Sequence, residues 1–385
     1  NGPNVKPTKL GIKTKRRTRA VMSTPLAASG CAFATSSSPP TRVSVSAPAP
    51  RKPQPAAKCE SRVQMGRVRR CAAPVGYYET RLRLDCGVAV PAAVWLPGDA
   101  ATDTGGAAVY DYRISVGKLF RTFLGAPLPS ALGWSFPLAP SAGVFAAAPS
   151  RGAAARPAVV LAHGFLGSRF DLALYGEALA ARGAVVVSPD FDQSLTGSYA
   201  PDPGGGSDRA AIVAAALRHA RGDLGATGAV GCLGHSMGAG TAMRLPGAAA
   251  RVAIAGFAEP VDDAPWLAVA SANDGPVPLS RVEPRVARCR GVVRVGGAVD
   301  GPWPRRAALF LEGPAAPTHV SYLAPAVNDA MQTFLGPLLP LARALNVPVL
   351  DFDRYGLVRD AEPTADRVVP AAVGFLGHHL GLTRT

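Results

Sequence analysis

The chain has 385 residues, 48% of them hydrophobic, enough to bury a sizeable core as one large domain or two ordinary ones. Its formal charge of +15 is gathered at one end: residues 1 to 70 carry 15 Lys and Arg against the single acid Glu60, which leaves 26 basic and 25 acidic residues for the rest. A near-neutral globular part argues against nucleic-acid binding as its function, and no run of about 18 apolar residues exists to span a bilayer.

From Asn1 to Cys59 there is no Asp or Glu, and MSTPLAASGCAFATSSSPPTRVSVSAPAP is rich in Ser, Thr, Ala and Pro. Such a segment has too little apolar surface to fold. The expectation for residues 1–72 is a disordered leader acting as an organelle transit peptide, for the chloroplast first and the mitochondrion as the alternative; a basic tail holding an anionic partner is the competing reading. Met22 opens the Ser/Ala-rich part, so residues 1–21 are set aside as candidate upstream sequence read in frame. The six cysteines show neither a disulfide framework nor metal-ligand spacing. Cys86, Cys232 and Cys289 are expected to be buried free thiols, and neither metal nor organic cofactor is expected.

Ordered structure, a single domain over residues 73–385, is expected to begin with YYETRLRLDCGVAVPAAVWLPGD, two antiparallel strands. Between Gly105 and Arg156 the pattern supports only a strand followed by surface excursions. From Pro157 onward β-branched runs alternate with Ala-rich helical stretches. PAVVLAHG is a strand, SRFDLALYGEALAARG a helix closed by Gly183, and AVVVSPDFD a strand. SDRAAIVAAALRHARG is a helix opened by Ser207 and Asp208, and AVGCLG a strand, with further strands at RVAIAGF, PWLAVASA and RAALFLEG. The alternation predicts parallel strands joined by right-handed crossovers, a doubly wound α/β sheet.

One turn carries chemistry. Gly234-His235-Ser236-Met237-Gly238 falls directly after a strand and directly before a helix. That context makes Ser236 a nucleophile on a strained strand-to-helix elbow, with Gly234 and Gly238 present because side chains there would collide with neighbouring chain. A serine hydroxyl needs a base to take its proton. His319, in a loop after RAALFLEG, is the candidate, with His378 and His379 of the final helix next; His219 is expected on a helix surface. The base needs an orienting carboxylate between serine and histidine in chain order. Asp274, in the turn after PWLAVASA, is preferred over the Asp262 and Asp263 pair and over Asp300. The oxyanion would be held by the backbone N–H groups of Met237 and of Phe165 in the loop after VVLAHG, with His163 and Gly164 shaping that loop. Phe165, Phe191, Tyr199 and Trp303 are candidate cleft residues favouring an apolar acyl or alcohol group.

AHGFLGS, GHSMGAG, SANDGPVP and THVSYL, in that order, resemble the α/β-hydrolase superfamily, and within it the compact esterases near the dienelactone hydrolase, cutinase and chlorophyllase-like groups. The resemblance covers Pro157 to Leu323 well and the flanking segments more loosely. It implies an α/β-hydrolase fold with antiparallel N-terminal strands, and a serine esterase acting on a small-molecule ester. Plant chlorophyllases as a family have Arg after the nucleophile and Gly two residues beyond; this chain has Met237 and Ala239. A pigment esterase is therefore a narrower alternative, and a catalytically silent ligand receptor or scaffold on the same fold is the alternative outside enzymes.

Overall fold

The computed structural model describes residues 73–98, 102–115, 117–118, 133–141, 143–149, 155–192, 194, 209–335, 340, 344 and 361–382. All of them belong to one compact unit, Gln64–Thr385. The leader, Tyr199, Ser207 and Asp208 lie outside the described residues.

The first two strands, β1 (Val75–Arg83) and β2 (Ala89–Pro97), form the expected antiparallel hairpin, in a register that sets Tyr77 opposite Trp95. The next segment holds more strand than its Gly- and Pro-rich sequence suggests: β3 (Thr102–Ala107), β4 (Tyr110–Ser115), β5 (Gly133–Leu138) and β6 (Val144–Ala148). β4 and β5 pair as a separate antiparallel ribbon, while β6 and β3 extend the main sheet beyond β1.

The α/β part follows the predicted alternation: β7 (Ala158–Ala162), α1 (Ala173–Ala180), β8 (Val185–Pro189), α2 (Arg209–Arg218), β9 (Val230–His235), α3 (Met237–Met243), β10 (Ala250–Ile254) and β11 (Trp266–Ser271). Then come α4 (Leu279–Ala287), a two-residue β12 (Val293–Arg294), β13 (Arg306–Leu311), α5 (Pro325–Leu335) and α6 (Ala361–Leu380). Helix α1 starts later than its apolar pattern suggests. Ser168 donates through both N–H and Oγ to Asp171 Oδ1, at 3.0 and 2.9 Å, and such short-range bonds hold a turn in competition with helix. Gly183 beyond its end takes φ +100°, where L side chains are strained.

The sheet runs β12-β13-β11-β10-β9-β7-β8-β2-β1-β6-β3. From β8 through β7, β9, β10 and β11 to β13 every pairing is parallel, and β2 joins β8 antiparallel. The pleat of β7 sends Val159 and Leu161 into the core under α1 and α6, and Ala158, Val160 and Ala162 into the core under α2. Burial on both faces is why AVVLA reads as a continuous apolar run. This is a doubly wound, mostly parallel sheet with antiparallel N-terminal strands, an α/β-hydrolase fold. From β7 the chain moves to β8 on one side and returns through β9 on the other. The loops leaving the carboxyl ends of β7 and β9 therefore diverge, which opens a crevice between them.

Candidate active site

Ser236 sits in that crevice, between β9 and α3, with φ 56° and ψ −117°. A non-glycine residue rarely adopts a positive φ, and holding one there costs roughly 1–3 kcal/mol that the surroundings must supply. The surroundings are backbone. Ser236 N–H donates to Ile254 O at 2.8 Å. A Cβ on Gly234 would run into Gly238 O, and one on Gly238 into Ala162 O, so both glycines are required by close approach. Gly256, beyond β10, has the same character: a Cβ there would lie 2.6 Å from Ser236 O and 3.0 Å from Ala239 Cβ. Its residue type gave no signal in the sequence, because the approach comes from a neighbouring strand.

The other two groups arrive from adjacent strands. Asp274 follows β11 and His319 follows β13, and these strands pair with Ser271 opposite Leu311. His319 Nε2 lies 2.9 Å from Ser236 Oγ, and its Nδ1 lies 2.9 Å from both Asp274 Oδ1 and Oδ2. Asp274 and His319 are buried, and Asp274 Oδ1 also accepts the Val277 N–H at 2.8 Å. A carboxylate only accepts, so Nδ1 carries the proton and Nε2 is left to accept from the serine hydroxyl.

The histidine loop is pinned from three sides. Ser271 Oγ donates to Pro317 O at 2.6 Å, Asn273 Nδ2 donates to Ala316 O at 3.1 Å, and His235 Nε2–H donates to His319 O at 2.9 Å. Burial keeps His235 neutral, its pKa pushed well below the usual imidazole range. Ser271, Asn273 and His235 are thus positioning residues that the sequence reading did not single out; the polar flanks of Asp274 were the available hint.

The loop after β7 lines the opposite wall. A Cβ on Gly164 would stand 3.0 Å from Ser236 Cβ, so the loop passes against the serine. Fully buried His163 engages both ring nitrogens there: Nε2 accepts the Phe191 N–H at 2.9 Å and Nδ1–H donates to Gly164 O at 2.7 Å. Burial first, and the Arg209 charge second, lower its pKa to about 4, so at neutral pH it is an uncharged brace. Farther along the loop, Arg169 reaches Asp190 at 2.7 Å and Glu79 at 2.7 Å, which ties it to the end of β8 and the middle of β1. Met237 is the first residue of α3, so its N–H has no acceptor within the helix. The Phe165 and Met237 side chains are exposed.

The rival residues are engaged elsewhere. Asp262 accepts from Arg251 Nη1 and Nη2, both at 2.7 Å, and Asp263 pairs with Arg306 at 2.8 Å. Asp300 lies in an exposed bend, His378 is exposed on α6, and His379 Nε2–H donates to Pro304 O at 3.3 Å. His219 is not the surface residue expected: it sits half-buried in the π-helical turn His219–Asp223 between Tyr78 and Asp223. Two of the aromatic cleft candidates are also displaced. Phe191 is fully buried beneath His163 and Arg209, and Trp303 packs on Phe375 in the core. Of the three thiols expected to be buried, only Cys232 is; Cys86 is exposed and Cys289 half-buried, since each lies within a surface turn. Among the described residues no three His, Cys, Asp or Glu side chains cluster as a metal would require, and no helix is long and apolar enough to cross a membrane.

Ser236 opens on a cleft of about 540 Å³ whose walls include Met237, Phe257, Val277, Arg244, Arg285 and Arg288.

No protein-family model matches the chain, and no curated protein matches it. Among solved structures the chain is similar to a ferulic acid esterase from Streptomyces cinnamoneus, at 21% identity and a TM-score of 0.45, over 70% of this chain and 82% of that one. It is also similar to a lidless α/β serine hydrolase from Xanthomonas campestris, at 14% identity and a TM-score of 0.38, over 69% and 96% of the two chains. A third is an esterase from Pyrococcus furiosus, at 12% identity and a TM-score of 0.36, over 70% and 91%.

Proposed function

We propose that the chain is a serine hydrolase that cleaves a carboxylic ester through an acyl-enzyme intermediate. The observation that carries this reading is the relay itself, Ser236 Oγ to His319 Nε2 at 2.9 Å and His319 Nδ1 to Asp274 at 2.9 Å, on a serine held at positive φ. Ser236 Oγ attacks the ester carbonyl carbon while His319 Nε2 takes its proton. Asp274 accepts from Nδ1–H and stabilises the imidazolium. The carbonyl oxygen gathers charge in the crevice, where the Met237 and Phe165 N–H groups are the donors assigned to it. Collapse of the tetrahedral adduct breaks the bond to the alcohol oxygen, which leaves with the proton from Nε2. Water, deprotonated by the same nitrogen, then releases the acid and restores the serine. The exposed Phe165 and Met237 side chains flank the serine and suit an apolar group of the substrate.

The relay is tested by a double-mutant cycle on turnover of a chromogenic ester. Ser236→Ala and His319→Ala are each expected to remove most activity, and the pair to be little worse than either, because groups acting as one unit give strongly non-additive losses. Additive losses would reject the relay. Labelling of Ser236 by a fluorophosphonate separates an enzyme from a silent receptor, which should not react.

The leader, with Glu60 as its single acid, supports a further part of the same proposal, that residues 1–72 direct the protein to the chloroplast. A fluorescent fusion of the full chain should enter plastids, and one lacking residues 1–72 should not; equal distribution of the two would reject it.

A further inference from the structure

The cleft beside Ser236 is basic along one wall, and ester hydrolysis as such does not ask for that. Arg244 stands at the C-terminal end of α3, Arg285 in the last turn of α4, and Arg288 just beyond it. All three are exposed and line the cleft that holds Ser236, where Glu259 is the single acid. Arg285 Nη1 donates to Phe257 O at 3.2 Å, which fastens its guanidinium to the cleft wall.

The plain explanation would be a solvated face, and helix C-termini favour cations in any case. That accounts for where Arg244 and Arg288 sit on their helices. It does not account for two helices ending on one cleft. Of the neighbouring arginines, Arg251, Arg306 and Arg294 pair with Asp262, Asp263 and Glu283, while Arg281 and Arg305 donate to backbone carbonyls. Among the described residues none of Arg244, Arg285 and Arg288 has a carboxylate in ion-pair contact. A cleft of net positive charge with walls of low polarity concentrates its field on whatever enters, and guanidinium forks match the geometry of carboxylate and phosphate oxygens.

We propose that the substrates of this cleft are esters whose acyl or alcohol part ends in an anion, a carboxylate or a phosphate, held by Arg244, Arg285 and Arg288 while the apolar body of the molecule lies along Met237, Phe257 and Val277. The inference rests on the hydrolase reading above and adds the substrate class to it.

The test compares matched esters by their kcat/KM. Hexyl hexanoate is the neutral reference. Its three partners are the hexyl half-ester of adipic acid, the hexanoyl ester of 6-hydroxyhexanoic acid, and the hexyl ester of a hexanoic acid carrying a 6-phosphate. The first two place a carboxylate on the acyl and the alcohol side, and the third separates phosphate from carboxylate. At low ionic strength at least one anionic ester should exceed the neutral one by about ten-fold. The advantage should shrink at about 0.5 M NaCl, and the ratio should fall towards one in the triple variant Arg244→Gln, Arg285→Gln, Arg288→Gln. Thermal melting checks that the variant is folded, and the single Arg288→Gln replaces it if it is not. Ratios of one or less for all three partners would overturn the anion preference, as would a ratio the arginine substitutions leave unchanged. The two readings fail differently: cleavage of the neutral ester without any anion preference removes this inference alone, whereas no cleavage of any ester and no fluorophosphonate labelling of Ser236 removes the hydrolase reading and this one with it.

Discussion

Replacing Asp274 by Asn changes one atom at the centre of the relay, and the surrounding bonds determine which way the amide turns. Asp274 Oδ1 accepts the Val277 N–H at 2.8 Å, while Oδ1 and Oδ2 both face His319 Nδ1 at 2.9 Å. In the variant the amide oxygen stays on Val277, because turning the NH₂ towards a backbone N–H would leave two donors facing each other in a buried site, at a cost of about 1–3 kcal/mol. The NH₂ then points at Nδ1, which must accept. The ring proton moves to Nε2, where it faces Ser236 Oγ, and the base can no longer take the serine proton. The expected loss in kcat is about 10⁴-fold, or roughly 5.5 kcal/mol of transition-state stabilisation, as for the equivalent change in a serine protease. Stopped-flow or long-time assays of a chromogenic ester would measure it, with thermal melting to check that the fold is kept. A folded Asp274→Asn protein within about ten-fold of the parent would refute this assignment of the acid.

Two other outcomes are expected. Gly256→Ala pushes a Cβ to 2.6 Å from Ser236 O, so the elbow must shift by a fraction of an ångström to an ångström; turnover and the rate of fluorophosphonate labelling should both drop by about 10²-fold, and unchanged labelling would show that the elbow tolerates the methyl. Asp262→Asn tests a structural ion pair. The hydrogen bonds from Arg251 hold the Asp262 carboxyl down at about 2. Because the folded-state pKa is depressed, its stabilisation is present above about pH 3.8 and is lost as pH falls towards 2; with the side chain 39% exposed, screening reduces it to about 1 kcal/mol. Denaturant melts of parent and variant should therefore differ at pH 7 and converge near pH 2, and a gap independent of pH would exclude the linkage.

What the sequence determined by itself is local. The alternation of β-branched runs with Ala-rich stretches specifies β7 to β11 and β13 with the helices α1 and α2, because a strand buried on both faces must be apolar throughout and a crossover helix must follow it; the exposed two-residue β12 and helix α4 carried no such signal. The elbow is legible in part for the same reason: Gly234 closes on Gly238, four residues later, so that collision is written in nearby residues, whereas Gly238 is required by Ala162 O of the neighbouring strand β7. Asp274 and His319 could be chosen because parallel strands deliver their following loops to one edge, although rivals of the same residue type were equally present in the sequence. Only the tertiary structure removed them, by giving Asp262 and Asp263 to arginines and leaving His378 and His379 on α6. It alone decided the pairing of β3 with β6 and of β4 with β5. It alone brought Gly256 against Ser236, turned Phe191 and Trp303 into the core, and set three arginines from two helices on one cleft. These features arise from approaches between residues distant in the chain. A residue type carries its own volume, charge and hydrogen-bonding groups, but which partner meets them is a property of how the strands and helices pack.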